Sequence, residues 1–170
     1  MENYNITLKN EKNIKNWITY DLLFNDKQIQ IETPFMYLPF GVEQKYNDYI
    51  IKLQFKGLKK MTEENKNLED FYYFIKNIER KISNILNIEK NKKFISRLVE
   101  KKNYDDLLEI KINKKFYNIE IKNVDNTMKN IYDIHKGSYI KCFLAFGKIW
   151  MNKDVISYKL LVDKIIIKNI

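Results

Sequence analysis

With 170 residues, 45% of them hydrophobic, and only four glycines and two prolines, the chain can bury one core and is not a low-complexity or flexible sequence. One cysteine excludes an internal disulfide framework, one histidine leaves too few soft ligands for a structural zinc site, and no apolar run is long enough to span a bilayer. A net charge of +9 favours polyanionic partners, although Lys, Asn and Ile dominate as they would in a product of an AT-rich genome.

The N-terminal third reads as strands. Tyr4 to Leu8 is a short candidate, and Trp17–Phe24 followed by Gln28–Thr33 predicts a hairpin turning at Asn25-Asp26-Lys27. Pro34 and Pro39 bracket Phe35-Met36-Tyr37-Leu38, which predicts an edge or irregular segment, because proline cannot donate to a ladder. In Asp48–Lys56 the alternation is clean. Tyr49, Ile51, Leu53 and Phe55 are predicted inward, with Lys52 and Lys56 outward.

One helix is predicted over about 67–88, where Leu68, Phe71, Phe74, Ile75, Ile78, Ile82 and Ile85 recur at spacings of three and four. Asn67 is its expected N-cap, with Glu69 and Asp70 suited to the positive end of the helix dipole. Lys90–Asn103 fits a short helix or a strand, and strand is the favoured reading. Leu107–Ile112 and Phe116–Lys122 predict a second hairpin through Asn113-Lys114.

A loop over Asp125–His135 leads to a long terminal hairpin, Tyr139–Trp150 and Val155–Lys168, reversing at Asn152 to Asp154. In its first arm Ile140, Cys142 and Leu144 share one parity, and Tyr139, Lys141 and Phe143 the other. Rings interleaved with lysines are what a strand needs to stack unpaired bases while neutralising their phosphates, and they also occur in ordinary half-buried strands. The order strands, helix, strands lacks the regular alternation of a parallel sheet. It predicts a mainly β chain, residues 1–170 as one domain, forming a small antiparallel barrel with an inserted helix.

Four stretches together resemble a known family: Ile29-Gln30-Ile31-Glu32-Thr33-Pro34-Phe35-Met36 with Phe40-Gly41-Val42 after it; the strand Tyr49–Phe55; the helix with Phe71; and the terminal hairpin with Asp133-Ile134-His135-Lys136-Gly137-Ser138 before it. The chain is similar to the OB-fold single-stranded DNA-binding proteins of podophages and of nucleocytoplasmic large DNA viruses. The resemblance implies a five-stranded barrel with a packed helix, and a basic, aromatic groove that holds unpaired DNA with little regard to sequence. It also implies a non-catalytic role in viral replication, recombination or repair. Single-stranded DNA is then the expected partner, with RNA, replication proteins and a second copy of the chain as further expectations. The phage members end in an acidic tail, whereas this sequence ends in Lys164-Ile165-Ile166-Ile167-Lys168-Asn169-Ile170, so tail-mediated contacts do not carry over.

Carried onto this chain, the groove residues are Phe143, Phe146, Trp150, Lys141 and Lys148, extended by Lys52, Lys56 and Lys111, with Tyr37 and Phe40 as second-tier rings. The bland alternative for each lysine is solvation, and for Trp150 a plug at the barrel mouth. Arginine occurs only at Arg80 and Arg97, which argues against bidentate reading of guanine in duplex DNA. No cofactor, metal or membrane is expected. The N-terminal Met1-Glu2-Asn3-Tyr4-Asn5 lacks the zones of a secretory signal, so an intracellular site is expected, in host cytoplasm or nucleus for a viral protein.

Two rival readings stand beside this one. Asp105 or Asp106, followed by Glu109-Ile110-Lys111 or Glu120-Ile121-Lys122 on adjacent strands, forms the acidic-x-lysine pattern of magnesium-dependent nucleases, whose chemistry requires these groups on one face. The other is a basic scaffolding protein with no preference for single strands.

Overall fold

The computed structural model describes residues 5–58, 65–86, 92–113 and 119–168. In chain order the strands are β1 (Ile6–Ile14), β2 (Trp17–Phe24), β3 (Gln30–Glu32), β4 (Met36–Tyr37), β5 (Val42–Lys45) and β6 (Asp48–Gln54). Helix α1 (Lys66–Ile85) follows, then β7 (Lys93–Ile95), β8 (Leu98–Val99), β9 (Leu107–Asn113), β10 (Glu120–Asn123), a 3₁₀ turn at Ile131–Asp133, β11 (Tyr139–Met151) and β12 (Val155–Lys168).

Hydrogen-bonded pairings close into a ring. β12 pairs with β11, β11 with β4, β4 with β6, β6 with β9, and β9 with β8; β7, two residues before β8, returns to β12. The staves are β6, β9, the β7–β8 run, β12 and β11, with the two-residue β4 wedged between β11 and β6. This is a mainly β, OB-like barrel with one long helix, as the sequence predicts. It departs from a purely antiparallel barrel at two places, since β7 and β10 both run parallel to β12.

The terminal hairpin organises the rest. Asn152 Oδ1 accepts from the amides of Asp154 and Val155 at 2.8 and 2.7 Å, which fixes the reversal. The register then shifts twice: between Phe143 and Leu144 the extra residue is Asp163 on β12, and between Phe146 and Ile149 it lies on β11 at Gly147-Lys148. Bulges sharpen twist, and strands this long must coil to wrap a small barrel. Gly147 belongs to this device, because a Cβ there would stand 3.3 Å from both Cβ and the carbonyl oxygen of Lys159.

Two expected hairpins do not form. Asn25 and Asp26 do turn the chain, both at positive φ, but β3 then runs along the middle of β11 while β2 pairs with β1 and with the end of β11. Thirteen residues of β11 offer ladder positions to β4, β3 and β2 in succession, so β3 has a better partner than β2. Likewise β10 does not return along β9. Glu120–Asn123 lies beside Lys164–Ile167, where Ile121 and Ile165 are both buried. The remainder of that expected arm, 116–118, and the Lys114 of its turn are outside the described residues. Met36–Tyr37 is an inner strand, not an edge; its flanking prolines lie beyond the two ladder positions and withhold no needed donor.

Helix α1 starts two residues early, with Asn65 rather than Asn67 at the N-cap, and the Asn65 amide donates to the carbonyl of Gly57 at 3.1 Å. Phe71, Tyr72, Ile75, Ile78 and Ile82 join the barrel core. On successive turns Tyr72 reaches Asp106 (2.7 Å), Lys76 reaches Glu100 (2.9 Å) and Glu79 reaches Ser96 and Arg97 (2.6 and 2.8 Å), so the helix follows the chain that closes the ring.

Candidate nucleic-acid interface

The predicted parity of β11 holds up to the second bulge. Ile140, Cys142, Leu144 and Phe146 are buried, while Tyr139, Lys141 and Phe143 look outward. Across the ladder, Lys168 stands opposite Tyr139 and Lys164 opposite Phe143. On the other flank Tyr37 stands opposite Tyr139, and Gln54 of β6 opposite Tyr37.

The result is a band in which lysines hover over rings. Lys56 Nζ lies 4.2 Å from the centre of the Tyr37 ring and 5.8 Å from that of Tyr139; Lys141 and Lys168 lie 5.4 and 6.0 Å from Phe35. Lys164 lies 5.3 Å from Phe143, and Lys52 lies 5.9 Å from the exposed Phe40. Three of these cations are balanced: Lys52 by Glu43 at 2.9 Å, Lys141 by Glu32 at 3.4 Å and Lys164 by Glu120 at 3.6 Å. Lys56 and Lys168 have no carboxylate within ion-pair distance among the described residues.

Between β4, the end of β6 and the start of α1 the band dips into a cavity of about 250 Å³. Its walls include the rings of Phe35, Tyr37 and Tyr139, the Lys56 ammonium and the side-chain amides of Gln54 and Asn67. Phe35 is held there by Pro34 and by Thr33, whose hydroxyl donates to the Pro34 carbonyl at 2.8 Å and accepts from the Cys142 amide at 3.0 Å. The fold thus needs this proline-flanked segment to turn its rings outward while Met36 and Leu38 fill the core.

Of the ten residues expected in the groove, Tyr37, Phe40, Lys52, Lys56, Lys141 and Phe143 come together in this band. Lys111 is exposed on the same outer face, two rungs along from the Lys52–Glu109 pair, with no ring under its ammonium among the described residues. Trp150 and Lys148 form a separate patch about 23 Å along β11 from Phe143, at about 3.3 Å per residue. There Trp150 meets Trp17 edge-on at 6.4 Å, Lys159 lies 5.7 Å from the Trp150 ring, and Lys148 pairs with Asp21 at 3.1 Å. Trp150 is therefore half-buried against Trp17, outside the band.

Phe146 is a correction. It lies before the second bulge, so it keeps the inward parity, is 1% exposed, and packs against Phe24 and Tyr158 at 5.1 and 6.0 Å. The sequence reading missed Phe35, Tyr139, Lys164 and Lys168 as members of the band. Tyr139 carried the outward parity already; Lys164 and Lys168 were hidden because Asp163 flips the alternation of β12.

The same fold occurs in a phage single-stranded DNA-binding protein. The crystal structure of gp2.5, a single-stranded DNA-binding protein encoded by bacteriophage T7, superposes on this chain with a TM-score of 0.54 at 11% identity, over 82% of this chain and 85% of gp2.5. No protein-family model and no curated protein sequence matches the chain. The likeness to gp2.5 is one of architecture, and at this identity it assigns no residue.

The two Glu-x-Lys triplets do not share a ladder. β9 pairs with β6 and β8, and β10 with β12, so the two Glu-x-Lys triplets are not on neighbouring strands. Their carboxylates are also engaged: Glu109 lies 3.9 Å from Arg97, and Glu120 is paired with Lys122 and Lys164. Asp105 accepts from the amide of Gly57 at 3.0 Å, and Asp106 from Tyr72 and the Lys101 amide, which are structural duties. Among the described residues no three His, Cys, Asp or Glu side chains gather closely enough to hold a metal ion.

Proposed function

We propose that this chain binds single-stranded DNA without catalysis and with little regard to overall sequence, protecting unpaired strands during viral replication, recombination or repair. The observation that carries the reading is the band of rings and lysines on the outer face of an OB-like barrel. Rings supply faces on which any base can stack, about 1 to 3 kcal/mol per base, and the lysines release counterions from the phosphates between them. Lys56 and Lys168, without carboxylate partners among the described residues, are the cations most available to a phosphate; Lys52, Lys141 and Lys164 exchange one anion for another. Membership of the podophage and large-virus protein group, action inside the host cell, and cooperation with replication proteins follow as parts of the same proposal.

The test is fluorescence anisotropy with one labelled oligonucleotide, presented as single strand and as duplex, across a salt series with magnesium present. Preference for the single strand, a log–log salt slope of about −0.7 per phosphate contacted, and an intact oligonucleotide support the reading. Equal affinity for both forms replaces it with a generic basic surface, and shortened product replaces it with the nuclease.

A further inference from the structure

We infer that the cavity beside β4 takes one unstacked adenine base from the bound strand and reads its edge, so that an otherwise sequence-tolerant protein favours strands carrying adenine at one register. This rests on the single-stranded DNA reading above and adds a base-specific site to it.

The cavity differs from the rest of the band in what its walls offer. A stacking platform needs only rings and cations, but here two side-chain amides, Gln54 and Asn67, stand with the rings of Phe35, Tyr37 and Tyr139. Neither amide has a hydrogen-bond partner among the described residues, whereas the third amide nearby, Asn65, is committed to the Gly57 carbonyl. Gln54 points outward from β6 directly opposite Tyr37 in the ladder, so its side chain leaves the backbone from a paired strand position beside that tyrosine. An amide presents one donor and one acceptor side by side. Adenine presents their complement at N7 and N6, and this bidentate pair is a recurrent way for Gln or Asn to select that base. Guanine offers two acceptors along the same edge and leaves the amide oxygen unmatched.

Size and charge agree with a single base. About 250 Å³ is below the roughly 300–1,000 Å³ of sites for drug-sized ligands. The Lys56 ammonium now occupies a ring face, 4.2 Å from the centre of Tyr37 and 3.4 Å from the Tyr139 hydroxyl. A base sliding onto Tyr37 would displace it toward the phosphate that arrives with that base, exchanging a cation–π contact for an ion pair and a stacked ring. A neighbouring shallow depression is lined by Glu32 and Asp70 as well as Lys141, so it repels phosphate. The backbone is thereby directed to the Lys56 side of the cavity, with the base inward.

The experiment measures anisotropy on oligothymidylate of about 16 nucleotides, the same strand with one central deoxyadenosine, and the same strand with 7-deazadeoxyadenosine, which stacks equally but lacks the N7 acceptor. Wild-type protein is expected to bind the adenine strand about fivefold or more tightly than oligothymidylate, and to lose that margin with the 7-deaza base. In Gln54→Ala the three strands should converge to within about twofold. Equal affinity of wild-type protein for all three strands, or an adenine preference that survives Gln54→Ala, overturns the inference and leaves single-strand binding intact. Failure to bind any of the strands would instead overturn the function on which it rests.

Discussion

The hydroxyl of Tyr158, fully enclosed in the barrel, donates to a carboxylate oxygen of Glu79 on the helix at 2.7 Å. The same carboxylate accepts from the Ser96 hydroxyl and the Arg97 amide, while Arg97 Nε returns to the Tyr158 carbonyl at 2.8 Å. One buried acid therefore joins the helix, the closing β7–β8 run and β12. Tyr158→Phe should lower unfolding free energy by about 1–3 kcal/mol in urea titrations, and Glu79→Ala by more, because it strands three donors at once. Burial, reinforced by Glu79, raises the Tyr158 pKa well above 10.0. A raised folded value means that this contribution is complete below pH 10 and is lost as pH climbs through the folded value. Tyr158→Phe should accordingly show the shallower alkaline decline.

Cys142 behaves as a core hydrophobe. Burial pushes its thiol up to about 12 from an ordinary 9.0, so the fold prefers the neutral form. Stability from this preference is complete below pH 9.0 and drains away as pH rises through about 12. A thiol reagent such as Ellman's should be inert toward the native protein near neutral pH and react in step with urea unfolding. Stoichiometric reaction with the folded protein would contradict the burial.

Phe143 and Phe146 are three residues apart on one strand and should separate binding from folding. Phe146→Ala is expected to cost about 3–5 kcal/mol of stability, since it empties a site between Phe24 and Tyr158. Phe143→Ala should leave the urea midpoint nearly unchanged and weaken single-strand binding by about 1–3 kcal/mol. The reverse pattern would place the groove on the other face of β11.

Trp17 and Trp150 are the two tryptophans of the chain, and they touch each other. Intrinsic tryptophan fluorescence consequently reports the distant patch alone. Short oligonucleotides that fill the Tyr37–Phe143 band should bind without quenching, and quenching should begin only once a strand can cover the further ~23 Å along β11. Quenching that is already complete with the shortest strand that binds would make the Trp150 patch the primary contact.

Much of this was legible in the chain itself. Period-two alternation placed Tyr49, Ile51, Leu53 and Phe55 inward on β6, and 3.6-residue spacing located α1 and its buried face. What alternation cannot supply is the partner of each strand. Phe116–Lys122 is near β9 in sequence, yet β10 is drawn to β12, because Ile121 finds its apolar neighbour at Ile165. Nor can a periodic reading cross a bulge. Phe146 and Trp150 share the parity of Ile140, Cys142 and Leu144 in sequence, yet the Gly147-Lys148 insertion leaves Phe146 inward and turns Trp150 to the other face. Lys164 and Lys168 were overlooked for the corresponding reason at Asp163.

The two bulges of the terminal hairpin lie on opposite strands, and their effects on register cancel. Tyr139 faces Lys168 and Met151 faces Ile156 as they would in an uninterrupted hairpin, and only the short run from Leu144 to Phe146 is displaced by one position. The pair acts like a frameshift and its suppressor within a folded chain. Deleting Asp163 would make Phe143–Lys164 and Leu144–Val162 consecutive rungs, so Lys164 and Lys168 should stay opposite Phe143 and Tyr139 while the local twist is lost. Deleting one residue of Gly147-Lys148 as well would straighten the whole ladder, so the paired deletions should cost the hairpin its coil and not its register.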